Sequence, residues 1–277
     1  MRESMALLRR YMGDVRSLLP GGATGIMQLM YPPLGEAVAA QSDFFDDPFG
    51  RVYRSIPQIW AVVLDSGRDG QERGRAIRDL HRDVKGVDAA GKRYHALEPE
   101  TFWWAHATFT WEVFRSIELF HAGGLRRVDT ERLYRETVSW YECYAMSMRP
   151  VPPDLQAFRR KFGDIVATKL ERTPAAERTL EMAVAGRWRL PLQDAYLHDP
   201  LMRLVGRVGV FGCFPPELRE RFGLAWSRTD AAVFAAGTQA LRLGFGAVPL
   251  QVNHAAMRTA LRTVGARTRS ERYDPAA

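Results

Sequence analysis

The feature that most constrains the fold is a long helical repeat near the middle of the chain. Residues 100–120 read ETFWWAHATFTWEVFRSIELF, with apolar side chains recurring three and four positions apart. That spacing is the period of an α-helix with one buried face. The other long segments show the same period, and none shows the sustained alternation of a strand. We therefore expect an all-α protein.

Proline and glycine divide the chain into about ten to twelve predicted helices. The clearest breaks are LPGG, the pair Pro32–Pro33, and the start signal Pro152-Pro153-Asp154. Because no repeat, linker or change of composition divides the chain, we expect a single domain over residues 1–264. Its helices are expected to enclose a cofactor pocket and to pack in a globin-like style. Residues 265–277 are expected to form a flexible tail.

Composition narrows the class of protein. Hydrophobic residues make up 46% of the 277 and charged residues 26%, as in soluble globular domains. The formal charge of +7 comes from 39 basic and 32 acidic side chains; four of the basic ones are lysine, so 35 are arginine. These residues are scattered, which argues against a nucleic-acid partner. The arginine excess reflects either a G+C-rich genome or arginines that bind an anionic ligand.

Cysteine usage and hydropathy suggest a location. Cys143 and Cys213 are the only cysteines, and they form neither a metal motif nor a disulfide framework. The N-terminus lacks a signal-peptide core, and no window approaches 18 consecutive apolar residues. We expect a cytoplasmic protein without a transmembrane segment, with peripheral contact to a membrane left open. The oligomeric state is not indicated.

His106 lies on the apolar stripe of the central repeat. Counting by three and four from Phe102 gives His106, Phe109 and Val113, so the imidazole is expected to point inward. A buried imidazole either forms two hydrogen bonds in the core or binds a metal through one nitrogen. The spacing alone leaves both alternatives open. The other histidines, His95, His121, His198 and His254, are interpreted as structural or solvated.

His81 repeats the pattern in the segment RAIRDLHRDVKG. It is four residues after Ile77 and three before Val84, with Arg78 one turn back on the same side. Two inward histidines on consecutive helices suggest a planar cofactor between them. Zinc is less natural because no third or fourth ligand stands at a recognisable spacing. Haem fits better, since it needs an axial imidazole, apolar walls and arginines for its propionates. The candidates for walls and propionates are Phe102, Trp103, Phe109, Arg51, Arg54 and Arg78.

Three runs of the sequence resemble a known family. They are GGATGIMQLMYPPLGEAVAAQSDFFDDPFGRVYRS, RAIRDLHRDVKG and YHALEPETFWWAHATF, with H-x-x-V-x-G from His81 and W-x-H ending at His106 as the most specific pieces. The chain is similar there to the catalytic domain of rubber oxygenases (latex-clearing proteins) and of the mycophenolic-acid oxygenase. That family was first catalogued as a domain of unknown function. The resemblance covers about residues 14–262.

The resemblance implies an all-helical fold around one haem b that uses dioxygen on isoprenoid alkenes. His106 would be the proximal iron ligand, and His81 and Arg78 would form the catalytic distal side, where His81 is also a possible distal ligand. This chain departs from the rubber oxygenases, which have a lysine at the position of His81 and a threonine at that of Arg82. We therefore expect a haem-b oxygenase acting on an apolar, isoprenoid-like or other small organic substrate. The alternatives are a bis-histidine haem sensor or electron-transfer protein, and a haem-free binding module.

Overall fold

The fold is helical in a computed structural model that describes residues 5–41, 48–65, 68–88, 90–188, 197–198 and 203–270. Within these ranges the chain forms thirteen α-helices, three turns of other helix types and two small hairpins. The prediction of an all-α fold is confirmed. The helix count slightly exceeds the expected ten to twelve because several helices are only one or two turns long.

The first half of the chain contains the helices that surround the central repeat. They are α1 (Ala6–Met12), α2 (Gly21–Leu29), α3 (Pro32–Gln41), α4 (Pro48–Leu64), α5 (Arg68–Leu80) and α6 (Pro99–Phe120). A 3-10 turn, Val15–Leu18, links α1 to α2. An antiparallel hairpin of β1 (Lys85–Val87) and β2 (Arg93–His95) separates α5 from α6, with Lys85 opposite His95.

The second half completes the bundle. Its helices are α7 (Thr130–Glu142), α8 (Leu155–Thr168), α9 (Pro174–Ala185), α10 (Phe211–Cys213), α11 (Pro216–Arg221), α12 (Arg228–Ala247) and α13 (Leu250–Ser270). A 3-10 turn, Gly124–Arg127, precedes α7, and a π-helical turn, Val205–Val210, runs into α10. Strands β3 (Arg187–Trp188) and β4 (Leu197–His198) pair as a second antiparallel hairpin. Neither hairpin was expected, because strands of two or three residues carry no periodic signal.

The helices around the site begin where their capping residues predict. Asp129 accepts a hydrogen bond from the backbone N–H of Arg132 at 2.9 Å, and Asp154 accepts one from Ala157 at 2.7 Å. Glu98 does the same for Thr101 at the start of α6, at 2.9 Å. Each carboxylate satisfies an otherwise unpaired N–H and complements the helix dipole.

Helix α6 is the centre of the core. It packs against α2, α7, α12 and the Val15–Leu18 turn. Its aromatic residues pack with those of α4 and α7. The side chains among them that are exposed by no more than 2% include Trp60, Trp103, Trp104, Trp140 and Tyr141. Aromatic side chains bury large areas each, and this cluster therefore supplies much of the hydrophobic stabilisation.

The last helix extends into the segment expected to form a tail, and the flexible tail over residues 265–277 stays a prediction. Helix α13 continues to Ser270, six residues beyond the predicted domain limit at 264. Residues 271–277 lie outside the described part. The single-domain boundary over residues 1–264 stays a prediction.

Candidate functional site

The two buried faces of α6 contact different neighbours. One face carries His106, whose ring packs on residues of α7. The other carries Thr108, Glu112 and Ser116, which face α2 and the Val15–Leu18 turn. The predicted stripe of Phe102, His106 and Phe109 therefore lies on the α7 side of the helix.

His106 is held by one nitrogen and leaves the other without a partner. Its side chain is buried, and its Nε2 lies 3.0 Å from the backbone carbonyl oxygen of Thr137 in α7. Because a carbonyl only accepts, Nε2 carries the hydrogen and Nδ1 keeps its lone pair. Nδ1 is buried and has no hydrogen-bond partner among the described residues. Burial lowers the pKa of His106 to about 3, so the imidazole is neutral.

Three aromatic rings of the α7 region surround the His106 imidazole. The ring centroids of Trp140, Tyr141 and Tyr144 lie 4.7, 5.1 and 6.0 Å from that of His106. The chain leaves α7 through Ala145, whose φ of 53° is left-handed. These rings were missed from sequence. The available signal was the recurrence of Thr137, Tyr141 and Tyr144 at intervals of four and three, which marks one helical face.

A small cavity borders His106. Its volume is about 10 Å³, which is room for about one water molecule. Its wall includes His106, Trp103, Thr110, Tyr134 and Phe158. A cavity of this size does not hold an organic cofactor unless neighbouring side chains move, since such pockets measure about 300–1,000 Å³.

His81 lies just after the end of α5 and is only half-buried. Its Nδ1 donates to the carbonyl oxygen of Ile77 at 2.8 Å, which closes the last turn of the helix. Its ring meets the edge of the Phe102 ring at a centroid distance of 6.1 Å. The sequence had predicted an inward-pointing imidazole. The difference arises because α5 ends at Leu80, so His81 is in the turn that leads to β1.

Arg78 also differs from the prediction that it points inward. Its Nε and one terminal nitrogen donate to Asp79 at 3.0 and 2.8 Å. Arg82 donates to the same carboxylate at 3.0 Å. Asp79 therefore binds both guanidinium groups at the surface. The hydrogen bond from Arg78, with that from Arg82, lowers the pKa of Asp79 below its usual range and outweighs the raising effect of desolvation.

A continuous line of rings connects His81 to His106. Phe102 contacts His81, Tyr144 lies 5.3 Å from Phe102, and His106 lies 6.0 Å from Tyr144. The two histidines belong to one ring cluster; that they face each other across a planar cofactor stays a prediction. Phe102 and Tyr144 are the rings that connect them.

The remaining predicted site residues are distributed around this cluster. Trp103 borders the small cavity and carries the Lys161 ammonium 4.0 Å from its ring centroid. Phe109 lies between Trp60 and Trp140, at 5.8 and 6.2 Å. Arg54 is half-buried on α4.

Arg51 has its backbone in α4, and its side chain lies outside the described part. A role in binding propionates stays a prediction for both arginines of α4. The described ranges contain no group of three or more His, Cys, Asp or Glu side chains arranged to hold a metal ion. A single axial imidazole does not require such a group.

The other histidines have structural surroundings. His95 bonds to the carbonyl oxygen of Arg82 at 3.1 Å, and His254 to that of Arg10 at 2.9 Å. Desolvation lowers the pKa of His121 to about 4, and its ring lies edge-on to that of Tyr11. The side chain of His198 lies outside the described residues.

Glu112 is a buried acid that the sequence reading did not single out. It is 1% exposed, and neither of its carboxyl oxygens has a hydrogen-bond partner in the described ranges. Burial raises its pKa to about 8; the nearby hydroxyl of Thr24, which donates to Pro20 instead, opposes that shift only weakly. The available signal was its position four residues after Thr108 on the face toward α2.

A comparison with known protein families identifies the family of this chain. Residues 9–243, which are 235 of the 277, match the family described as ER-bound oxygenase mpaB/B′ and rubber oxygenase, catalytic domain. The chain belongs to this family. The matched range contains the whole ring cluster, both histidines and Glu112.

Membership of the mpaB/rubber-oxygenase family supports an enzyme with an oxygenase role. No curated protein and no solved structure matches the chain. The family relationship thus rests on the family match alone.

Proposed function

We propose that this protein is a haem-b-dependent oxygenase that uses dioxygen on a small apolar, isoprenoid-like substrate. The observation that carries the proposal is the buried, unpartnered Nδ1 of His106. Its lone pair is kept available because Nε2–H donates to the carbonyl oxygen of Thr137. Metal-ligating histidines commonly fix their tautomer by such a bond from the second nitrogen.

The chemistry of the donor fits an axial ligand of haem. The imidazole is neutral over the whole physiological pH range, and neutral imidazole is the form that binds a metal. When bound, haem iron supplies the dioxygen chemistry. Phe102, Trp103 and Phe109 offer apolar surface on the same side of α6.

The closed packing sets a condition on this proposal. A macrocycle beside His106 would need space that packed rings now occupy, and Tyr144, which contacts both His106 and Phe102, is the ring we propose to move. If Tyr144 changes rotamer, its ring loses its contacts with Phe102, His106 and Tyr141. Binding of haem is therefore coupled to a rearrangement of the α7 end.

We assign the distal side to His81 and, one turn earlier on α5, to Arg78, whose guanidinium would have to leave Asp79 to reach the cluster. His81 lies at the far end of the ring line and its Nδ1 is fixed by Ile77, so the ring presents its other edge to the cluster. Because Nδ1–H donates to Ile77, the Nε2 of a neutral His81 would offer a lone pair, with which it could ligate haem iron; donating a hydrogen bond from Nε2 would require the imidazolium form. Arg51 and Arg54 on α4 are the proposed anchors for propionates. A cytoplasmic location stays a prediction.

An absorption spectrum tests the proposal. The purified chain is supplied with haemin, and the Soret band is recorded for the oxidised protein, the reduced protein and the reduced protein with carbon monoxide. Wild type is expected to show an intense band, and His106→Ala is expected to lose or shift it. His95→Ala is the matched control, because His95 is a surface histidine with one backbone bond. An unchanged spectrum in His106→Ala would refute the assignment of the ligand.

The small cavity favours a second candidate function, a haem-free family member that acts as a binding module. In that case the purified protein stays colourless after addition of haemin. A bis-histidine haem protein is recognised by the same measurement, as a low-spin spectrum that does not respond to carbon monoxide. Replacing His81 by alanine then restores the response to carbon monoxide.

A further inference from the structure

The C-terminal helices form an exposed elbow. We use this term for residues 228–265, in which α12 and the first part of α13 meet at a bend of 106°. No single helix in the described ranges is long and apolar enough to cross a membrane, but these two pass that test of length and composition together. The elbow is thus the most membrane-like segment of the described chain.

The elbow exposes apolar side chains that a soluble surface would normally replace by charges. Of the twenty residues of α12, the structure buries only Asp230. The exposed large side chains are Val233 (39%), Leu241 (40%), Leu243 (63%), Val248 (36%) and Val252 (54%). Exposed apolar side chains concentrated in one element, even on more than one side of it, indicate a contact site for proteins or membranes.

The face is also free of charged side chains over a long stretch. Between Ala231 and Met257, Arg242 is the only Asp, Glu, Lys or Arg. Its guanidinium turns inward and donates to the carbonyl oxygens of Leu119 and Glu118 at the end of α6, at 2.9–3.1 Å. The one charged side chain of this range is therefore bound to backbone carbonyls at the end of α6.

Arginines surround this apolar face. The elbow contains four arginines and one acidic residue, Asp230, which gives it a net charge of +3 out of the +7 of the chain. Asp230 is already bound to Arg207, at 3.1 Å for one pair of atoms. Arg228, Arg258 and Arg262 are exposed near the two ends of the elbow.

We propose that the elbow docks on an anionic membrane surface. Leu243 and Val252 enter the boundary between head groups and acyl chains, and the exposed arginines contact anionic phosphates. A second copy of the chain is the less favoured occupant, because two elbows of net charge +3 repel each other, whereas a bilayer of anionic lipid attracts both. The proposal does not rest on the oxygenase chemistry, so the two can fail independently.

Vesicle flotation tests this docking. The full chain is mixed with vesicles of equal parts phosphatidylserine and phosphatidylcholine, or of phosphatidylcholine alone. We expect binding to the anionic vesicles to be on the order of tenfold tighter and to weaken as salt is raised, because part of the attraction is electrostatic.

Two substitutions and a matched control identify the docking face. Leu243→Asp and Val252→Asp are expected to reduce binding on the order of tenfold, since each places a charge in the apolar face. Val87→Asp is the control: Val87 is 60% exposed, close to the 63% of Leu243, and lies on β1 away from the elbow in sequence. Circular dichroism and thermal unfolding establish that each variant is folded.

Three outcomes would overturn the docking proposal. One is equal binding to both kinds of vesicle, and another is an equal loss of binding in Val87→Asp and Leu243→Asp. The third is a stable dimer in solution that Leu243→Asp dissociates, without any binding to vesicles. That last result would assign the elbow to a second copy of the chain.

Discussion

At the scale of single residues, α6 buries two ionisable side chains on different faces, and burial holds both of them neutral. His106 faces α7 with a pKa lowered to about 3, and Glu112 faces α2 with a pKa raised to about 8. An uncharged histidine is a competent metal donor, whereas an uncharged carboxyl without partners only costs stability. His106 is therefore suited to bind a metal, whereas the raised pKa of Glu112 makes the free energy of unfolding depend on pH.

Replacing Glu112 by glutamine is expected to stabilise the protein, and more so at higher pH. The folded protein keeps Glu112 protonated up to about pH 8, whereas the unfolded chain releases that proton near the ordinary pKa of glutamate. Wild-type stability from this group is thus fully present below the ordinary pKa and is lost as the pH rises toward 8. Between pH 5 and 7, the advantage of Glu112→Gln should grow on the order of 2 kcal/mol.

Urea unfolding of wild type and variant at each pH measures this difference, and other titrating groups cancel in the comparison. Glu118→Gln is the control, since Glu118 is an exposed residue of the same helix. A difference in stability that is equal at pH 5 and pH 7 would contradict a raised pKa for Glu112.

At the scale of helices, a glycine sets how closely α5 approaches the end of α7. A Cβ at Gly74 would come within 2.4 Å of the carbonyl oxygen of Cys143, the residue before Tyr144. Backbone cannot yield as a flexible side chain does. The close contact therefore ties the helix that ends at His81 to the segment that carries the ring next to His106.

Gly74→Ala is expected to lower the free energy of unfolding by about 1–3 kcal/mol through this clash. The matched control is Gly163→Ala in α8, where a Cβ meets nothing within 4 Å. That variant should gain about 0.5–1 kcal/mol, because alanine is the better helix former. Chemical unfolding of both variants measures the contrast. A stabilised Gly74→Ala would show that α5 and α7 do not pack in this way.

Sequence predicted the helices well where capping and period agree, and poorly where structure depends on contacts between segments. Asp129 and Asp154 are starts that local chemistry dictates. The hairpin of β1 and β2 depends on the positive φ of Gly91 and on pairing over a few residues, which leaves no periodic pattern. The end of α5 at Leu80 likewise has no periodic signal in the sequence. Because α5 ends there, His81 lies in a turn and not on the helical face that was predicted.

At the scale of the whole molecule, the candidate site could be predicted as a pair of histidines but not as a filled ring cluster. His106 follows from the period of its own helix. Tyr144 contacts it only through the packing of the end of α7 against α6, which has no local signature. Whether a cofactor space is open or closed is a property of the packed core, so the closed arrangement could not be read from the chain.

Tyr144→Leu is expected to act in opposite directions on two measurements. Loss of a fully packed ring should lower the free energy of unfolding of the haem-free protein by about 1–3 kcal/mol. If the Tyr144 ring must move for haem to bind beside His106, its removal also raises the fraction of molecules competent to bind, and the haem affinity should rise. Haemin titration followed at the Soret band and urea unfolding without haemin measure the two effects.

Phe162→Leu separates this coupling from a general loosening of the core. Phe162 is as well buried as Tyr144, at 6% against 4% exposure, and it stacks on Trp104 at 5.0 Å, on a different part of α6. This variant should lose a comparable amount of stability without any gain in haem affinity. If both variants bound haemin more tightly, the gain would belong to a softened core. A weaker affinity in Tyr144→Leu would instead mean that the tyrosine ring is a wall of the haem site, and that the space beside His106 opens elsewhere in the cluster.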